Sequence, residues 1–73
     1  VKLNNRVKEL RARHDFTQER LAKKVGVTRQ TIAAVEKGEY VPSLLLALYI
    51  CETFELPMEK IFWLQEECAD EEN

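Results

Sequence analysis

Two neighbouring segments of this chain each carry a full helix-start signal, with a single glycine between them. In the first, Thr17 stands where a cap is wanted, and Phe16 and Leu21 occupy the two ends of a hydrophobic staple. In the second, Thr28 is the cap, and Val27 and Ile32 have the same spacing. Leu21, Ala22 and Val25 form the apolar stripe of the first helix, and Gly26 offers the permissive backbone that ends it. The chain must therefore place two helices on either side of a very short turn, and the remaining elements have to pack around that pair.

The flanking sequence reads as more helix. Asn4 or Asn5 can cap a first helix, with Val7 and Leu10 on its inner side and His14 and Asp15 at its end. A fourth helix is expected from Ser43 to about Phe54, and a fifth from Pro57 through the residues Met58 to Phe62. Both prolines precede helical patterns, where a missing N–H costs little. Strand-like alternation is absent except at the start, Val1 to Asn4. The expected fold class is all-α, with five helices in one domain. At 73 residues the chain lies near the lower size at which one core sustains a fold, which leaves room for burial against a partner.

Several classes of function fall away on composition. No apolar run approaches the roughly 18 residues of a membrane span, and the N-terminal residues lack the apolar centre of a signal peptide. A cytoplasmic protein with no membrane partner is expected. Cys51, Cys68 and the single His14 have no zinc-ligand spacing, so no metal is expected; Cys51 lies in an apolar helical run and reads as a small core residue. With one His, no second metal ligand and no glycine-rich phosphate loop, the chain is not expected to be an enzyme, and no cofactor or small-molecule ligand is evident. The net charge of −2 hides a strong asymmetry: residues 1–38 hold ten Lys/Arg against four Asp/Glu, and residues 39–73 hold one against nine. A basic lobe joined to an acidic one gives a directional field that attracts polyanions to one face.

The third helix is the informative one. At 100° per residue Ile32 and Val35 define its inward side, and Gln30, Ala33, Ala34 and Lys37 face outward. Arg29 lies at the flank near the helix start. A guanidinium, an amide and a hydroxyl in the first turn match what major-groove base edges ask for, and small alanines let that face come close to a surface. On this helix alone, a solvated start that merely tolerates Arg, Gln and Thr remains an equal alternative.

Residues 18–38, with Leu21 and Ala22 as the apolar and small pair, Gly26 in the turn, and Ile32 and Val35 in the following helix, resemble the helix-turn-helix of the Cro/CI/Xre family of DNA-binding regulators. The likeness extends over most of the chain, and short stand-alone members resemble it over nearly its whole length. It implies a five-helix lambda-repressor-like domain, a sequence-specific regulator acting as a repressor, and double-stranded DNA and a second copy of the chain as partners. It also implies a small β-pair in which Lys2 to Asn4 lie beside Trp63 to Gln65.

Carried over by position, the family's base-reading places fall on Arg29, Gln30 and Ala34, with Thr31 and Ala33 beside them. Ala34 departs from the phage repressors, which carry a longer polar residue there, and leaves an apolar contact with a thymine methyl as the available recognition. Backbone-positioning places fall on Thr17, Gln18, Lys37 and Ser43, the last opening a helix N-terminus that can meet a phosphate. The loop before Ser43 is poor in basic residues, and Glu39 opposes the DNA backbone. The resemblance further pairs Arg11 with Glu36, an ion pair joining helices one and three.

Residues 1–66 are thus expected to form the DNA-binding domain, and 67–73 an acidic, disordered tail. Within 56–66, the expected dimer interface comprises Leu56, Met58, Ile61, Phe62, Trp63 and Leu64, because one helix face cannot bury four consecutive apolar residues. The alternative is a monomer in which Leu45, Leu46 and Tyr49 cover the run. A rival function is an antitoxin or interaction module of the same fold, whose acidic half meets a basic protein.

Overall fold

The structure, a computed structural model, describes residues 2–65; the acidic tail expected at 67–73, with Cys68, lies outside the described residues. The order is β1 (Lys2–Asn5), α1 (Val7–Arg13), α2 (Gln18–Val25), α3 (Arg29–Lys37), α4 (Leu44–Phe54), α5 (Met58–Ile61) and β2 (Phe62–Gln65). Five helices and one antiparallel two-stranded sheet match the expected fold class.

The three central helices begin as their residues dictate, and α2 and α3 end so as well. Thr17 Oγ1 accepts from Arg20 N at 3.0 Å, Thr28 Oγ1 from Thr31 N at 3.3 Å, and Ser43 Oγ from Leu46 N at 3.1 Å, each satisfying a first-turn donor that the helix itself leaves open. Gly26 and Gly38 close α2 and α3 at φ of 82° and 79°, a left-handed conformation that strains any residue with a side chain. Phe16 and Val27 pack part-buried against the core that contains Leu21 and Ile32, as staple partners should.

The first helix departs from expectation. It starts at Val7 instead of following Asn4 or Asn5, and Arg6 at its N-cap makes no side-chain cap bond. Asn4 and Asn5 are extended instead, paired with Trp63 and Phe62 in the register Lys2↔Gln65, Leu3↔Leu64, Asn4↔Trp63, Asn5↔Phe62. Asn5 still serves the helix from one residue further out: its Oδ1 accepts from Val7 N at 3.0 Å, and its Nδ2 donates to Val35 O at 2.9 Å, tying β1 to α3. The fifth helix is a single turn that stops at Ile61, and Phe62 turns extended to open β2. The cause is the sheet, whose pairing with β1 claims the backbone of Phe62 to Gln65.

All five helices contribute to one core. Leu21, Ile32, Ile50, Ile61, Val7 and Val35 are its largest fully buried side chains. Cys51 is buried as expected of a small core residue; burial pushes its thiol above the ordinary range, with Glu59 adding to the effect, so the reactive thiolate is disfavoured. No described helix is long and apolar enough to cross a membrane.

Candidate nucleic-acid interface

The core decides which side of α3 is offered to solvent. Ile32 and Val35 are fully buried against α2 and the rest of the core, so the opposite side must point out. Arg29, Gln30 and Lys37 are exposed there, and Ala33 and Ala34 are half-buried between them. The two alanines lower the surface around Gln30, which lets the helix approach a groove closely. Thr31 is half-buried, and its hydroxyl lies 3.0 Å from the Thr28 hydroxyl at the helix start.

A hydrogen-bonded chain crosses from α1 to the start of α3. Arg11 Nε lies 2.7 Å from Glu36 Oε2, the two side chains being 17% and 4% exposed, and Arg11 Nη1 donates to Phe16 O at 2.8 Å. Glu36 Oε1 accepts from Gln18 Nε2 at 3.0 Å, and Gln18 Oε1 accepts from Arg29 Nη1 at 3.2 Å. Thus α1, α2 and α3 are fastened together on the flank where Arg29 is exposed and Gln18 half-buried. The expected pairing of Arg11 with Glu36 is present; sequence reasoning placed Gln18 and Arg29 separately and missed that both ends of the Gln18 amide are engaged.

The residues expected to meet phosphates lie at three separate helix ends. Thr17 and Gln18 open α2, Lys37 closes α3 and Ser43 opens α4. The Thr17 and Ser43 hydroxyls are occupied as caps, so the donors left for an anion are first-turn backbone N–H groups and exposed side chains. Arg20, Lys23, Lys24, Arg29 and Lys37 are all exposed on α2 and α3. Arg20 and Lys24 lie 5.5 Å from the Phe16 ring, a cation–π arrangement that keeps both cations near the start of α2.

The expected dimer segment divides in two. Ile61 and Phe62 are buried in the chain's own core and so are unavailable to a partner, because the turn into β2 points them inward. Leu56 and Met58 are half-buried, while Trp63 and Leu64 are exposed, with Arg6 over the Trp63 ring at 5.3 Å. Of the residues that a monomer would use to cover the run, Leu46 is buried but Leu45 and Tyr49 are exposed, and with Leu44 and Leu48 they form an open apolar side of α4. An open groove between α4 and the sheet is lined by Leu3, Pro42, Leu44, Met58, Trp63 and Leu64. A run of apolar residues all round α4 carries no signal of which side faces out.

Two capped helices joined at a glycine turn, with the second fixed polar side outward, define a helix-turn-helix module. Residues 7–61 match the helix-turn-helix family, and the chain belongs to it. The family is one of DNA-binding transcriptional regulators and not of enzymes. The chain is 65% identical over 65 residues to the HTH-type transcriptional regulator YgzD of Bacillus subtilis, covering 89% of this chain and 98% of that one. It is 55% identical over 60 residues to an HTH-type transcriptional regulator of Methanocaldococcus jannaschii, covering 82% and 91%. Among solved structures it resembles the restriction-modification controller protein C.AhdI of Aeromonas hydrophila, with a TM-score of 0.70 and 29% identity over 75% of this chain and 83% of that one.

Proposed function

We propose that this protein is a cytoplasmic repressor that binds a near-palindromic operator in double-stranded DNA as a homodimer, through residues 1–66. The observation that carries the proposal is the outward side of α3: Arg29 and Gln30 exposed at its start, alanines beside them, and Lys37 exposed at its end. Arg29 offers paired donors to guanine, Gln30 a donor and acceptor to adenine, and Ala34 an apolar contact to a thymine methyl. Ala33 supplies clearance. Thr31, whose hydroxyl keeps hydrogen-bonding capacity beyond its contact with Thr28, stands beside them as a further base contact. Thr17, Gln18, Lys37 and Ser43 hold the flanking phosphates.

A second copy is the occupant that best suits the apolar groove. The face formed by Leu44, Trp63 and Leu64 is drawn from the acidic half of the chain and includes no residue of α3, so a two-fold contact there is compatible with both α3 helices meeting DNA. Each copy then enters one of two successive major grooves, about 34–36 Å apart. Repression needs nothing further than occupancy of a promoter by such a dimer. The antitoxin-like alternative requires a basic protein on that same half; purified protein that binds DNA tightly on its own disfavours it.

Two substitutions test the division between base readers and phosphate holders. Gln30→Ala is expected to cost roughly 1–3 kcal/mol on the preferred duplex and to relax the base preference at one position. Lys37→Ala is expected to weaken all duplexes alike and to flatten the dependence of affinity on salt. Anisotropy titrations with specific and random duplexes read both; equal losses on the two for Gln30→Ala would sink the assignment.

A further inference from the structure

Glu36 is nearly buried and accepts from three donors: Arg11 Nε at 2.7 Å, Arg11 Nη2 at 3.4 Å and Gln18 Nε2 at 3.0 Å. A carboxylate can only accept, so the Gln18 amide that faces it must turn its N–H inward. The amide carbonyl then points the other way, toward the start of α3, where Arg29 Nη1 donates to it at 3.2 Å. We propose that Glu36 is a positioning residue for base recognition: through Gln18 it sets the acceptor that holds Arg29, and so fixes which guanidinium donors are left to face a base. The proposal deepens the reading of Arg29 as a base contact and rests on it.

The physical content lies in the direction of the hydrogen bonds. The two ends of a glutamine amide are nearly equal in size, and a Gln18 without a charged neighbour could present either one to α3. Beside Glu36, the flipped amide would set its oxygen against the carboxylate and its N–H donors against the Arg29 guanidinium. Two hydrogen bonds would be replaced by two repulsions. A low-exposure charge therefore runs the whole series from Arg11 to Arg29 in one sense, and each bond polarises the next. Arg29 is exposed and long, and an untethered arginine loses considerable rotamer freedom when a base fixes it. Held at Nη1, it keeps Nε and Nη2 as a pair of donors, the pattern that the O6 and N7 edge of guanine accepts. Glu36 thus acts on sequence preference without touching DNA, and its contact with Arg11 is a separate role in holding α1 to α3.

The test compares the preferred duplex with one changed at a single base pair, the pair at which Arg29→Ala alters preference. Gln18→Leu, at a half-buried position, removes the acceptor and is expected to lower the wild-type preference for that pair about fivefold, the worth of one ordinary hydrogen bond. Glu36→Gln keeps the size but not the direction, and the same loss is expected. Arg11→Lys leaves the Glu36 charge in place, so the melting temperature should fall while the preference stays as in the wild type. In the free protein, one Gln18 side-chain amide proton should resonate downfield in a 15N-resolved NMR spectrum and lose that shift in Glu36→Gln. A preference altered by Arg29→Ala but unmoved by Gln18→Leu and Glu36→Gln overturns the positioning role alone. No position-specific change with Arg29→Ala overturns the base-reading assignment and the positioning role together. Equal weakening on both duplexes in Gln18→Leu, with their ratio unchanged, makes the series purely structural and overturns the proposal.

Discussion

Arg11→Ala is expected to lower folding stability by about 2–3 kcal/mol, because breaking a largely buried ion pair from one side leaves the other charge uncompensated. The remaining charge is Glu36, whose side chain is 4% exposed and which would keep only Gln18 as a donor. The substitution also strips Phe16 O of its Arg11 donor at the turn between α1 and α2. A loss of that size is a large part of what a small domain has in total. It should be visible as a lower urea midpoint, and α3 should lose its fixed angle to α1 even where the chain remains folded. By contrast, the exposed pair Arg13–Glu9 at 2.7 Å, one helical turn apart, should contribute a few tenths of a kcal/mol at most. A midpoint for Arg11→Ala no lower than that for Arg13→Ala would show that the α1 to α3 connection does not depend on this pair.

Leu64→Glu is expected to abolish dimerisation while leaving the fold intact. Leu64 is 66% exposed in β2, so the chain's own core does not rely on it, and a charge on a short edge strand is ordinary. In a dimer closed on this face, two copies of the new carboxylate would be desolvated and brought close to each other, which costs far more than the lost leucine contact. Sedimentation equilibrium at micromolar concentration should give the mass of two chains for the wild type and of one for Leu64→Glu. Loss of the second reading head removes the gain from linking two binding events, so operator affinity should fall by on the order of 100-fold or more. A wild-type chain that sediments as one copy, both free and on DNA, contradicts the homodimer.

What could be read from the residues follows the range of the forces involved. The helix-turn-helix was legible because its determinants are local: Thr17 and Thr28 bond to N–H groups three residues ahead, and Gly26 acts through its own φ. The outward side of α3 followed from Ile32 and Val35 alone. The start of α1 was not legible, since Asn4 and Asn5 suit a helix cap equally well, and only pairing with residues near 62–65 holds them extended. Alternation at Val1 to Asn4 pointed to a strand there, but its partner near residues 63–65 came from family resemblance alone. In the segment Ile61 to Leu64, four consecutive apolar residues hid a division into two buried and two exposed. Gln18 was placed by position as a phosphate contact, and its engagement with both Glu36 and Arg29 depends on three helices meeting at distances no local pattern encodes.

Sequence-specific DNA reading by two copies of α3 would show in repeated selection of duplexes from a randomised pool by the purified protein. Selection should enrich a near-palindrome whose half-sites are centred about 10–10.5 base pairs apart, or a multiple of that spacing. The same selection with Gln30→Ala should yield a weaker consensus at symmetric positions in both halves. A pool that stays random under wild-type selection, or a consensus that Gln30→Ala leaves unchanged, would contradict it.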